Sequence, residues 1–207
     1  MDNNRIKAII FDLGNVLIDF DHAIAAKRIA PFTDKTISGI FDLFFNSEIT
    51  GLFEAGKIAP PEFFSRVKEM LNLRIGYGEF LPIWNEIFFL SPKNHLVYNL
   101  ARKLKESYRL AVLSNINILH FEYLKKNFPV FDAFHNIITS FELGLIKPDP
   151  RVYIKTLEVL QAQPINVFYT DDRPELVESA KSLGIRSFVF KNTGQLKQDL
   201  IDSGVEF

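Results

Sequence analysis

The chain has 207 residues, 47% of them hydrophobic and 24% charged, which is enough for one large core or a core with a smaller appended unit. A formal net charge of -1 excludes the whole-molecule basic field that holds nucleic acid or anionic lipid, so neither is an expected partner. The absence of Cys removes disulfides, thiolate catalysis and Cys-based zinc sites, and no apolar run approaches the ~18 residues of a membrane span.

Met1 to Lys7 is polar with no apolar run of signal-peptide type behind it, so the expected location is cytoplasmic. Ala8 to Phe11 then reads as a short buried strand, β-branched at Ile9 and Ile10. It halts on Asp12 and bends at Gly14-Asn15, two residue types that tolerate positive φ. A buried parallel strand releases its polar residues at its C-terminal edge, where open α/β sheets place their ligands. Ile18 to His22, of mixed polarity, reads as an exit from the sheet.

From His22 to Phe89 the period becomes helical. Ala23, Ala26, Ile29 and Ala30 share one face, and so do Ile37, Ile40, Phe41, Phe44 and Phe45. Pro60-Pro61 before Glu62 predicts a helix start, with Phe63, Phe64, Val67, Met70 and Leu71 as its buried stripe. Phe80, Ile83, Trp84, Ile87 and Phe88 repeat the pattern, and the 21 Phe of the chain suggest packing rather than chemistry. Within this segment Glu54 to Ile58 is a polar turn with a flexible Gly56, a candidate for recognising substrate.

At Ser91-Pro92 the pattern changes to alternating strands and helices. A helix over Pro92 to Glu106 leads to a strand from Arg109 that ends in Ser114-Asn115. A helix near Leu119 to Phe128, a strand near Asn136 to Thr139 and a weakly structured stretch over Phe141 to Asp149 follow. After a helix near Pro150 to Leu160, a strand from Asn166 ends in Asp171-Asp172. A helix to Leu183, a strand over Arg186 to Phe190 and a helix over Gln195 to Ser203 complete the chain. The predicted fold is an α/β, doubly wound parallel (Rossmann-like) sheet with an all-helical insert after the first strand. The expected division is 1-20 with 90-207 as the core, and 21-89 as the insert.

In such a sheet Asp12, Ser114-Asn115 and Asp171-Asp172 fall on one edge, with Lys147 in the loop between the last two. Crowded carboxylates repel unless a cation sits among them, and all-oxygen ligation suits magnesium. A cation, donors to an anion and a leftover carboxylate nucleophile together describe phosphoryl transfer through an aspartyl-phosphate.

Phe11 to Leu17, Leu113-Ser114-Asn115, Lys147 to Pro150 and Tyr169 to Glu175 resemble the four ordered motifs of the haloacid dehalogenase-like hydrolases. The helical insert sits where that family carries a cap. The resemblance implies a magnesium-dependent phosphatase acting on a small phosphorylated metabolite, a sugar phosphate in the subgroup with this Asp-Leu-Gly-Asn-Val run. It implies Asp12 as nucleophile and Lys147 as a second catalytic residue that steadies nucleophile and phosphate, Ser114, Asn115 and Lys147 as the substrate's phosphate ligands, and a metal held by Asp12, the Gly14 carbonyl, Asp172 and Asp171. Most phosphatases of the family have a second Asp at the position of Gly14, acting as general acid and base. Asp19, Asp21 and His22 are candidate replacements. Two alternatives stay open: a binding or regulatory protein of the same fold, and a metal-independent haloacid dehalogenase.

Overall fold

The computed structural model describes residues 5–207, except the side chains of residues 45 and 46. Strand β1 (Ala8–Phe11) is followed by the short β2 (Asp19–Phe20) and five helices: α1 (His22–Ile29), α2 (Ile37–Asn46), α3 (Glu48–Glu54), α4 (Pro60–Leu71) and α5 (Tyr77–Asn85). Strand β3 (Phe88–Phe89) leads to α6 (Pro92–Leu104), β4 (Arg109–Ser114), α7 (Ile118–Asn127), β5 (Asn136–Thr139) and the single-turn α8 (Ser140–Leu143). Then come α9 (Pro150–Leu160), β6 (Val167–Asp171), α10 (Pro174–Ser182), β7 (Arg186–Val189) and α11 (Thr193–Asp202). Many helix starts are set by polar side chains that accept orphan N–H groups: Asp21 for α1, Ser47 for α3, Asn117 for α7, Asp149 for α9 and Asn192 for α11.

The five-stranded sheet has the order β5-β4-β1-β6-β7 with every pairing parallel, as the doubly wound reading requires. Alternation along each strand sends Ile9, Phe11, Leu110, Val112 and Phe168 to one face, against Leu100 and Leu104 of α6 and Leu196 of α11. Ala8, Ile10, Ala111, Leu113 and Tyr169 go to the other, against Tyr153 of α9 and Ala180 of α10. The central position of β1, between β4 and β6, puts three strand ends side by side at ~4.8 Å spacing.

Helices α1 to α5 enclose a separate core in which Phe63 stacks on Phe53 and Trp84 meets Phe44, Phe63 and Phe80. The helical faces differ from expectation at their margins. Met70 is 50% exposed, because the buried row of α4 follows the four-residue steps Phe63, Val67 and Leu71, which Met70 only flanks, and Ile37, the first residue of α2, is 47% exposed. Ala23 and Ala30 are half-buried, and Phe45 lies outside the described residues.

Two local expectations are corrected. Asp19-Phe20 is not a plain exit, and Phe88-Phe89 does not continue a helix. They pair antiparallel as a two-stranded ribbon between the helices and the sheet, which uses backbone groups that neither segment could satisfy alone. The Phe141 to Asp149 stretch also begins inside α8, closed by Gly144 in the left-handed region.

Candidate active site

Each polar group at the sheet edge is delivered by a strand that stops there. Asp12 follows β1 directly and its N–H bonds to Thr170 O at 2.9 Å, so the sheet holds its backbone. Ser114 is the last residue of β4 and Asp171 the last of β6. The chain turns after Asp12 through Asn15, whose φ of 55° is in the left-handed region that Asn tolerates. Asn15 Nδ2 then donates to Asp172 Oδ2 at 2.9 Å, joining two strand ends 157 residues apart in sequence.

Lys147 is the hub of this edge. It is 3% exposed, and its Nζ donates to Asp12 Oδ1 at 2.7 Å, Asp171 Oδ2 at 2.6 Å, Leu113 O at 3.1 Å and the Tyr169 hydroxyl at 3.3 Å. Asn115 fixes it from behind. Its Nδ2 donates to Lys147 O at 2.9 Å and its Oδ1 accepts from Lys147 N at 2.8 Å. The Asn115 amide is thus engaged at both ends by the lysine's backbone. The Ser114 hydroxyl bonds to no described residue and faces the cavity above Asp12.

Oxygens of Asp12, Asp171 and Asp172 lie within 4.8 Å of one another. Their surroundings separate them electrostatically. Burial pushes the Asp12 carboxyl up to about 7, opposed by Lys147 and reinforced by Asp171 and Asp172. Burial raises Asp172 as well, moderated by the hydrogen bond from Asn15. Burial alone would raise Asp171 too, but Lys147, the Tyr169 hydroxyl and the Arg173 N–H at 3.0 Å outweigh it and hold that carboxyl below its ordinary value. Burial works against the Lys147 ammonium, yet its two carboxylate partners overcome this and keep it charged. An all-oxygen donor set carrying excess negative charge fits a hard divalent cation of magnesium type.

A cavity of about 350 Å³ opens above this edge. Asp12, Ser114, Lys147 and Asp172 line it from the sheet edge, and Phe44 and Glu54 line it from the helical segment. Of the three candidate replacement acids, only His22 lines it. Asp19 is held by Lys93 Nζ at 2.7 Å and Asn94 Nδ2 at 3.2 Å, and Asp21 is spent on the cap of α1. Tyr169, Asn15 and Phe20 also belong to this neighbourhood; the sequence marks Asn15 only as a turn residue and gives Tyr169 and Phe20 no role at the site. Tyr169 had a usable signal: it is two residues before Asp171 on one strand, so both side chains take the same face, and its hydroxyl donates to Asp171 Oδ2.

A profile described as haloacid dehalogenase-like hydrolase matches residues 6–184. The chain is 24% identical over 201 residues to D-ribitol-5-phosphate phosphatase of Bacteroides thetaiotaomicron, covering 94% of this chain and 97% of that protein. It is 26% identical over 192 residues to phosphoglycolate phosphatase of Aquifex aeolicus, covering 88% and 83%. Among solved structures, a haloacid dehalogenase-family enzyme from Bacteroides thetaiotaomicron in complex with magnesium and inorganic phosphate superposes with a TM-score of 0.80. That match has 30% identity and covers 90% of this chain and 94% of the other.

Proposed function

The chain belongs to the haloacid dehalogenase-like hydrolase family, and on that premise we propose that it is a magnesium-dependent phosphatase of a sugar or sugar-alcohol phosphate, working through a phosphorylated Asp12. It is a phosphatase of small phosphorylated metabolites, with magnesium as its cofactor. The sugar-type substrate rests on the ribitol-phosphate specificity named for one relative. No helix among the described residues is long and apolar enough to cross a membrane.

One observation carries the mechanism: a buried lysine bridging Asp12 and Asp171 beneath an open cavity, with the Ser114 hydroxyl beside it. Asp12, Asp172, Asp171 and the Gly14 carbonyl would hold magnesium, which supplies charge neutralisation for the transferring phosphoryl group and keeps Asp12 ionised. Ser114 and Lys147 take phosphate oxygens, while Asn115 holds the Lys147 backbone and thereby the aim of its ammonium. Asp12 attacks phosphorus and forms an acyl phosphate, and water then cleaves it. Helices α1 to α5 act as the cap that closes over the leaving group.

Phosphate release from a panel of sugar and sugar-alcohol phosphates tests this, with magnesium or chelator and with Asp12→Asn. The expected result is release that needs magnesium, and a variant that binds substrate yet loses nearly all turnover. Full turnover in chelator would instead remove magnesium from the mechanism. No release from any ester would favour a binding protein.

A further inference from the structure

Hydrolysis of an alkyl phosphate needs a proton at the departing oxygen, since a free alkoxide is a poor leaving group. The cavity holds few groups able to supply one. Lys147 and Asp171 bond to each other, and Asp12 and Asp172 belong to the phosphoryl and metal side. Arg173 is paired with Glu175 at 2.6 Å and cannot release a proton. The two imidazoles near the site are neutral: burial lowers His22 to about 4 and His120 to about 3, and both ring nitrogens of His120 are bonded, to Asn117 Nδ2 and Trp84 O. Position 14 offers no side chain, and a Cβ built there would stand 2.6 Å from Phe20 Cε1, so the ring fills that space.

Glu54 is what remains. We propose that Glu54, at the C-terminal end of α3, is the catalytic acid and base for the leaving group. It lines the same cavity as Asp12, Ser114 and Lys147 but comes from the helical segment and not from the sheet edge. Its position is pinned to the sheet side of the molecule. Ser140 Oγ donates to Glu54 O at 2.6 Å and accepts from Ile116 N at 2.9 Å, so one hydroxyl ties the end of α3 to the loop after β4. Two residues on, Gly56 has a φ of 63°, and a Cβ there would stand 2.3 Å from Phe141 O. Only glycine lets this turn press so closely on α8. Burial pushes the Glu54 carboxyl up to about 7 against the pull of Arg173 and Lys147, which leaves a proton available near neutrality.

In the first half-reaction an Asp12 oxygen bonds to phosphorus as the bond from phosphorus to the leaving oxygen breaks. That oxygen keeps the electron pair and takes the Glu54 proton. In the second, the Glu54 carboxylate takes a proton from water as the water oxygen bonds to phosphorus and the Asp12–phosphorus bond breaks. Both side chains return to their starting states.

The inference rests on the phosphatase reading, and the test separates the two. Wild type, Glu54→Gln and Glu54→Asp are assayed with magnesium on ribitol 5-phosphate and on 4-nitrophenyl phosphate, whose leaving group departs unaided. Glu54→Gln should lower kcat/KM on the alkyl ester by a factor of ~10²–10⁴ and change kcat/KM on the aryl ester less than about tenfold, since kcat/KM reports formation of the phosphorylated Asp12. On the aryl ester kcat should fall, because loss of the base slows hydrolysis of that intermediate. Glu54→Asp should recover part of the alkyl rate. Equal losses of kcat/KM on both esters, or an unchanged kcat/KM on the alkyl ester, would overturn the role of Glu54 while the phosphatase stands. A wild type inert on both esters would overturn both readings.

Discussion

Replacing Lys147 with Met keeps most of its volume and removes the positive charge that bridges Asp12 and Asp171. The ammonium is 3% exposed and sits 2.7 and 2.6 Å from those carboxylates, so solvent screening does not soften the loss. Removing one partner of a buried ion pair costs about 3–5 kcal/mol, because the remaining charge stays buried without compensation. For a chain of this length that is a fall of roughly 6–20 °C in Tm at pH 8. The deficit should depend on pH. Without the lysine, burial acts on both carboxyls with less opposition, and their folded-state pKa values rise above the unfolded value of about 3.9. The folded variant then keeps protons that the unfolded chain releases, so stability is greatest at low pH and is lost as pH rises through the folded pKa. Asp12, already at about 7 with the lysine present, places that loss near and above neutrality. Thermal melts in chelator at pH 5 and pH 8 should therefore show a smaller deficit at pH 5. A Tm within about 2 °C of wild type at pH 8, or one deficit at both pH values, would show that Lys147 is not the electrostatic centre of this edge.

Gly14→Asp should destabilise the chain by about 1–3 kcal/mol, since its Cβ meets the Phe20 ring at 2.6 Å. In a denaturant double-mutant cycle with Phe20→Ala, the pair should cost at least about 0.5 kcal/mol less than the sum of its parts, and additivity would remove the steric account. Phe63→Ala, at the stacked centre of the helical core, should cost about 3–5 kcal/mol in urea unfolding. Met70→Ala on the same helix should stay within about 0.5 kcal/mol, its side chain being largely solvated.

Much of this molecule is encoded within short windows. The continuous apolar runs of β1, β4 and β6, the polar caps of α1, α3 and α7, and the Pro starts of α4, α6 and α9 each depend on a few neighbouring residues and local backbone geometry. Because parallel strands share a direction, polar residues at three strand ends had to converge, which made Asp12, Ser114 and Asp171-Asp172 legible as one edge. What no window contains is distance between remote segments. Lys147 and Asp12 are 135 residues apart, and only the assembled sheet shows one ammonium bridging Asp12 and Asp171. The Phe20–Phe88 ribbon, the ring that fills the space beside Gly14, and the placing of Glu54 in the cavity that Asp12 lines were likewise decided by tertiary structure. Local pattern assigns a residue to a face, whereas its neighbour across the cavity depends on how helices of a separate core seat on the sheet, which is set by the summed packing of many side chains.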